Sequence, residues 1–255
     1  MTLARLIEAF PALASYALLF ARILPLAALS PLLGLAQMAP GLRTMAALAL
    51  AIGVAPAIPD AAVELGPKEL FFEVLTGAYF ALIASLPLFG LSMAGRLVDQ
   101  ARGVSQPGER DLVEREPSSA LGQLHAVAGI AVFFALGAHR HLLRAFADGL
   151  EAVPLGAARL SGEVFFGFAT LAGKALLFGV SLALPALAAV LLVEIFLGLL
   201  SRVATTLPVF HAGMPARAFA GLFAVLLVFG LGIGLLRDEL GHAIDLALAS
   251  LSEGP

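Results

Sequence analysis

The chain alternates long apolar stretches with short polar interruptions. The main interruption, Met93–Ser119, carries nine charged residues, while Val74–Gly95 before it is a run of 22 residues without charge. A second apolar block, Ala126–Ala138, follows the interruption. Apolar runs of about 20 residues have the length of membrane-spanning helices. We therefore predict that the polar stretch connects two helices of membrane type.

This polar stretch changes character at Pro107, which breaks a helix. Four residues before the proline stand at i, i+3, i+4 and i+7, the spacing of one helix face: Arg96, Asp99, Gln100 and Gly103. Gly103 would let a neighbouring helix approach closely, and Arg102 adds a further charge. After the proline, both signs alternate without an apolar stripe. We predict a packed polar junction of Arg96, Asp99, Gln100 and Arg102, followed by a mobile connector at about residues 104–119. A plain solvated connector is the alternative.

The other apolar segments differ in how often they are interrupted. Ile23–Leu42 has no charge but is interrupted by Pro25, Pro31, Gly34 and Pro40, so a straight helix is not expected there. Thr44–Pro59 is short for a span, and Val164–Leu200 fits either a helical hairpin or one kinked helix. Ala120–Leu136 predicts a helix, and Ala218–Leu236 is an uninterrupted 19-residue span. The pattern predicts an all-α, polytopic membrane-type protein built of broken helices and helical hairpins.

Composition supports a membrane protein. Apolar residues make up 60% of the 255 residues and charged residues 13%, with a mean hydropathy of +0.99, whereas soluble domains carry roughly 25% charge. The apolar N-terminal segment runs well beyond the length of a signal peptide's apolar region, so we expect no cleavage there. The net charge of −3 gives no reason to expect a nucleic-acid partner. The absence of cysteine excludes disulfides, thiolate metal sites and thiol nucleophiles.

Four ionisable residues lie within apolar sequence: Arg22, Glu73, Lys174 and Glu194. At the bilayer centre each would cost about 2.5 to 3.5 kcal/mol. Glu73 and Lys174 are expected to avoid this cost because their long side chains can extend from a helix end to water. Glu194 is followed by six further apolar residues and shares a helical stripe with Gly198 and Arg202. We predict that this stripe contacts a neighbouring helix or subunit, with a solvated helix end as the alternative.

Two glycines in the last apolar span, Gly230 and Gly234, have the GxxxG spacing that predicts close helix packing. Signals of catalysis are lacking. The sequence has no HExxH motif, no Gly-x-Ser-x-Gly elbow and no phosphate-binding glycine loop. His139 and His141 stand at i and i+2 and do not share a helix face, and His125 is isolated. We expect no enzymatic activity, no metal and no cofactor.

Motifs along about 200 residues resemble a known family. The first comprises Ser30-Pro31-Leu32-Leu33-Gly34, Pro40 and Arg43, and the second Ala94-Gly95, Asp99-Gln100, Arg102-Gly103 and Ser105. The third comprises Glu116-Pro117, Gly137, His139 and Leu142-Leu143; the fourth Glu194, Gly198-Leu199, Pro208-Val209-Phe210 and Gly213-Met214-Pro215. In order and spacing they resemble the T-type export-apparatus subunits of type III secretion systems and their flagellar homologues. The chain departs from the family pattern in Thr205–Phe210 and in its unusually charged connector.

The resemblance implies a non-enzymatic subunit of an export gate in the bacterial inner membrane, as a single helical domain over residues 1–255. Such subunits join R-type and S-type partners in a cone-like assembly that lies partly above the bilayer and contacts lipid and exported unfolded polypeptides. The resemblance and the pattern together give the structural or gating candidates Arg96, Asp99, Gln100, Arg102, Gly103, Glu194, Gly198, Arg202, Pro208 and Phe210. The sequence leaves virulence or flagellar use open. The alternative is a small secondary transporter with its own substrate site, which would also contain broken helices and intramembrane charges.

Overall fold

The computed structural model describes residues 11–30, 39–55, 65–103, 119–158, 162–203 and 209–252. In these ranges the chain forms helices and no strands. The helices are α1 (Pro11–Leu29), α2 (Pro40–Val54), α3 (Pro67–Ala101), α4 (Ala120–Ala135), α5 (Ala138–Ala152), α6 (Gly162–Val203) and α7 (Val209–Ser252). By length and hydropathy, α3 and α6 are each able to cross a membrane, and two bent helical stretches raise the number of candidate spans to four. The predicted all-α membrane-type fold is confirmed.

Helix boundaries add to the sequence analysis at two places. The helix that contains the charge-free run Val74–Gly95 already begins at Pro67. A proline is well tolerated in the first helical turn, and Glu69 in that turn favourably faces the positive end of the helix dipole. The segment from Val164 onward is the single helix α6, with Pro185 inside it. The connector predicted after Gly103 lies outside the described residues, which resume at Ser119.

The chain divides into two compact units, each assembled from separate stretches of sequence. Unit 1 comprises residues 1–86, 133–173 and 239–255. In it α1 packs on α2, and the ring of Phe80 from α3 meets Phe146 from α5 edge-on, with 5.6 Å between the ring centroids. A side chain at Gly77 would collide with the backbone carbonyl of Arg22. The backbones of α3 and α1 are therefore in direct contact.

Unit 2 comprises residues 87–132 and 174–238. Small and medium side chains dominate its buried cluster: Ala94, Val98, Leu121, Ala183, Ala186, Ala224 and Val225. Gly90 and Gly179 leave no room for side chains between α3 and α6, since a Cβ at Gly90 would lie 2.5 Å from the Ala175 carbonyl oxygen. Close helix packing through small residues is typical of membrane proteins, where backbones approach to gain dispersion contacts. Whether the chain acts as one domain stays a prediction.

In unit 2, α6 and α7 run antiparallel. Leu182 touches Gly232, Val190 lies at Gly221, and Leu197 lies at Gly213, so positions that rise along α6 meet positions that fall along α7. Among the described residues nothing lies within 4 Å of a Cβ at Gly230 or Gly234, so close packing at the predicted GxxxG pair stays a prediction. The glycine between them packs instead, because it is on the side of α7 that faces α6.

Candidate functional site

The best-defined polar site lies in unit 2, where α3 ends and α4 begins. The Asp99 side chain is 1% exposed and accepts hydrogen bonds on both carboxylate oxygens. Arg102 Nη1 donates to Oδ1 at 3.0 Å, while the Ser119 hydroxyl and the Leu121 backbone N–H donate to Oδ2 at 2.9 and 2.8 Å. A buried carboxylate is tolerated only when it is paired and hydrogen-bonded. Asp99 meets both conditions.

Asp99 also completes the N-terminus of α4. Ser119 precedes the first residue of that helix, and its hydroxyl oxygen accepts the Gly122 backbone N–H at 2.9 Å, the geometry of an N-cap. The Asp99 carboxylate accepts the Leu121 N–H. One carboxylate from α3 and one hydroxyl thus satisfy two of the unpaired amides at the helix start. The negative charge at the positive end of the α4 dipole adds further stabilisation.

Two glycines allow the two helices to meet at this point. A Cβ at Gly95 would collide with the Leu121 backbone, and a Cβ at Gly122 would lie 2.7 Å from Cγ of Arg96 and 2.8 Å from Oγ of Ser119. A larger residue at Gly95 would push α3 and α4 apart, and a larger residue at Gly122 would displace the side chains of Arg96 and Ser119. The hydrogen bonds of Asp99 depend on this close crossing.

Arg102 links the junction to a third helix. Its aliphatic stem lies against Gly221 of α7, where a Cβ would be 2.5 Å from Cδ of the arginine. The Arg102 side chain is 11% exposed, and its Nε has no hydrogen-bond partner among the described residues. The guanidinium is therefore held by Asp99 on one side and by helix packing on the other. The junction fixes three helices of unit 2 relative to one another.

The structure brings only part of the predicted face together. Asp99 and Arg102 form the junction, and the stem of Arg96 lies beside it against Gly122. The Arg96 and Gln100 residues are exposed. The buried side of α3 passes through Ala94 and Val98, and Asp99 lies at the edge of that side. Among the described residues nothing lies within 4 Å of a Cβ at Gly103, so the close helix approach expected there stays a prediction. The φ of +71° at Gly103 marks the left-handed residue that ends α3.

The second predicted group lies on the surface of unit 2. Arg217 Nη1 of α7 donates to Glu194 Oε1 at 3.1 Å, and the two side chains are 27% and 45% exposed. Gly198 and Arg202 are also exposed, so within the described chain the stripe has no covering neighbour. Pro208 lies outside the described residues, and Phe210 is in the first turn of α7. Their predicted roles in gating stay predictions.

Sequence reasoning missed the deepest ion pair, which lies in unit 1. Arg22 of α1 binds Glu73 of α3 through two hydrogen bonds, from Nε to Oε2 and, at 3.0 Å, from Nη2 to Oε1. Arg22 Nη1 also donates to the Val153 carbonyl oxygen at 2.7 Å, and Glu73 Oε1 accepts the Gly156 N–H at 2.8 Å. Glu73 is fully buried, so its assignment to a helix end in contact with water was wrong. The only signal in the sequence was two opposite charges, 51 residues apart, in apolar surroundings.

Histidines contribute structural contacts. His125 Nδ1 lies 2.7 Å from the Leu121 carbonyl oxygen; because a carbonyl only accepts, that nitrogen carries the proton. His141 Nε2 lies 2.8 Å from Asp245 Oδ1 at the surface of unit 1. Among the described residues no group of three or more His, Asp or Glu side chains is placed to hold a metal ion. The buried polar sites of the two units hold helices together.

Comparison with known proteins supplies the family. Residues 13–243 match the family described as "Bacterial export proteins, family 1". The Yop proteins translocation protein T of Yersinia pestis is 30% identical over 224 residues, 84% of this chain and 85% of that protein. The flagellar biosynthetic protein FliR of Escherichia coli is 23% identical over 79% of this chain and 78% of its own length.

A third relative is matched over a shorter stretch. The secretion system apparatus protein SsaT of Salmonella typhimurium is 27% identical over 158 residues, which cover 62% of this chain and 61% of that protein. The family match nevertheless extends over most of the sequence and includes the residues of both buried polar sites. The chain belongs to family 1 of the bacterial export proteins.

Proposed function

We propose that the protein is a non-enzymatic subunit of a type III export gate in the bacterial inner membrane. In this role it joins R-type and S-type subunits to form the channel through which unfolded polypeptides are exported. The observation that carries the proposal is the family match over residues 13–243, supported by relatives named for secretion and for flagellar biosynthesis. Energy for transport would come from other parts of the apparatus.

The surface of the chain supports a role within a larger complex. The apolar stretch of α6 that is long enough to cross a membrane is only 28% buried within the chain. Large side chains such as Phe166, Leu177 and Phe219 are each more than two-thirds exposed. Such surfaces in a soluble monomer would be too large to remain stable in water. Lipid and partner subunits together provide the apolar surroundings that these helices need.

The buried polar sites fit a structural part of a channel. Asp99 with Arg102 in unit 2, and Arg22 with Glu73 in unit 1, each tie separate helices together by charge-assisted hydrogen bonds. A subunit that surrounds a moving polypeptide must keep its helices in place while the channel opens. The secondary transporter that the sequence left open finds no support in the family match.

Deletion and complementation test the proposal. Removal of the gene from its native host should abolish secretion of type III substrates, or the assembly of flagella, and the wild-type gene should restore it. The amount of substrate in the culture supernatant is measured against its amount in the cells. Normal secretion and normal flagella in the deletion strain would contradict the proposed function.

A further inference from the structure

A small cavity lies inside unit 2, lined by residues of α3, α4, α6 and α7. Much of the lining is alanine, which leaves space that larger side chains would fill: Ala94, Ala183 and Ala186 are among these residues. The enclosed part of the cavity measures about 20 Å³, and the whole depression, with its opening included, about 470 Å³. Partly exposed residues such as Phe229 and Ile233 mark the opening. Most of the space therefore lies in an apolar opening, with a small enclosed end.

His125 is the only polar side chain among the described residues that line the cavity. It is 4% exposed, and its ring packs edge-on against Phe229 with 5.7 Å between the ring centroids. Nδ1 donates to the Leu121 carbonyl oxygen, so in the neutral ring Nε2 keeps a lone pair that accepts a hydrogen bond. No hydrogen bond to Nε2 is formed among the described residues. A buried acceptor without a donor is uncommon in proteins and points to a further binding partner.

Water is a poor occupant of this cavity. A buried water typically forms about three hydrogen bonds and at least about two, whereas the described side chains of the lining offer only Nε2. An alcohol is held with a single hydrogen bond, because its apolar body leaves water for the space between apolar side chains. The hydroxyl group fits the small enclosed end, and an unbranched alkyl chain fits the opening.

We propose that the cavity binds a neutral alcohol with a slim apolar body, whose hydroxyl group donates a hydrogen bond to Nε2 of His125. The alkyl chain lies among apolar side chains of α4, α6 and α7 such as Val132, Leu182 and Ile233. Charged ligands are excluded, because no described side chain of the lining carries a charge that would compensate them. The site is separate from the junction of Asp99 and does not depend on the proposed role in export.

Photolabelling tests the site in native membranes. The alcohol 3-azioctanol carries a diazirine that inserts into nearby groups on illumination, and mass spectrometry of the purified chain locates the adducts. We expect adducts on residues that line the cavity, and 1-octanol should compete for them. Heptyl methyl ether is an isomer of octanol without a hydroxyl group, so at equal membrane concentration it should compete about tenfold less well. Equal competition by the ether would overturn the inference.

Two alanines of α4 provide a matched pair of variants. Ala128 lines the cavity, Ala126 does not, and both are partly exposed. Ala128→Leu should lower labelling of the cavity about tenfold because the leucine fills the opening, while Ala126→Leu should leave labelling within about twofold. His125→Phe keeps a ring against Phe229 but removes the acceptor, so it should also lower labelling about tenfold. Unchanged far-UV circular dichroism shows that each variant is folded, and wild-type labelling of Ala128→Leu or His125→Phe would overturn the inference.

Such an alcohol has two sources, a free small molecule or the hydroxyl group of a membrane lipid. Diolein added to the membranes should compete for labelling if the source is a lipid, whereas 1-octanol alone should compete if the source is a free molecule. Either result supports an alcohol site in the cavity. Adducts that lie solely outside the cavity, with no competition by either compound, would contradict it.

Discussion

Replacement of Asp99 by Leu removes the centre of the junction in unit 2. The variant loses the acceptor for Arg102 Nη1, the Ser119 hydroxyl and the Leu121 N–H. The Arg102 guanidinium, 11% exposed, then has no charged partner among the described residues. Removal of one member of a buried ion pair typically costs about 3 to 5 kcal/mol, because the remaining charge is uncompensated. Against a total stability of about 5 to 15 kcal/mol, this loss should lower the yield of folded protein severely.

The assay is the free energy of unfolding in mixed micelles, followed by far-UV circular dichroism as the fraction of SDS is raised. Two variants serve as controls. Gln100→Leu alters an exposed residue next to Asp99 and should change stability by less than about 0.5 kcal/mol. The double variant Asp99→Leu with Arg102→Leu removes both charges, so it should be more stable than Asp99→Leu alone.

Two results would refute this reasoning. If Asp99→Leu unfolds at the same SDS fraction as the wild type, the carboxylate does not hold the helices together. The single variant Arg102→Leu is measured as well. If the stability loss of the double variant equals the sum of the losses of Asp99→Leu and Arg102→Leu, the two residues act independently and the pair has no coupling energy.

Three further changes test other contacts in the same unfolding or recovery assays. Glu73→Gln should lower the free energy of unfolding by about 3 to 5 kcal/mol, since it leaves buried Arg22 without its carboxylate partner. An unchanged unfolding curve would argue against a structural role for the ion pair. Gly95→Ala should cost about 1 to 3 kcal/mol, because its methyl group would collide with the Leu121 backbone; stability equal to or above the wild type's would exclude that close crossing. Glu194→Ala should change the free energy of unfolding of the isolated chain by only about 0 to 1 kcal/mol, but it should weaken recovery of the complex and export. Normal recovery and normal export would indicate that Glu194 lies at a solvated helix end.

The sequence predicted the junction in part because the relevant information was local. Asp99 and Arg102 are three residues apart at the end of an apolar run, so helical spacing and charge were enough to single them out. Their third partner is Ser119, whose role depends on how α3 and α4 cross at Gly95. A glycine in a sequence does not say which helix it touches. For the same reason, the sequence could not name a partner for Gly103, and none lies against it among the described residues.

The pair of Arg22 and Glu73 could not be derived in the same way. The two residues are 51 positions apart and meet because α1 and α3 are in contact at Gly77. Each charge alone was compatible with a helix end that reaches water. The helical fold could be predicted from the sequence because the length of an apolar run indicates the length of a helix, and prolines indicate where it is interrupted. Long-range partners depend on tertiary packing, which periodicity does not contain.

The central claim is that the protein is an export-gate subunit that functions only in a complex. The most direct test is native mass spectrometry of particles purified through a tag on this chain, after co-expression with the R-type and S-type subunits of the same genome. We expect a defined hetero-oligomer that contains one copy of this chain together with both partners. A monodisperse particle made of this chain alone, able to transport a substrate after reconstitution in vesicles, would contradict it.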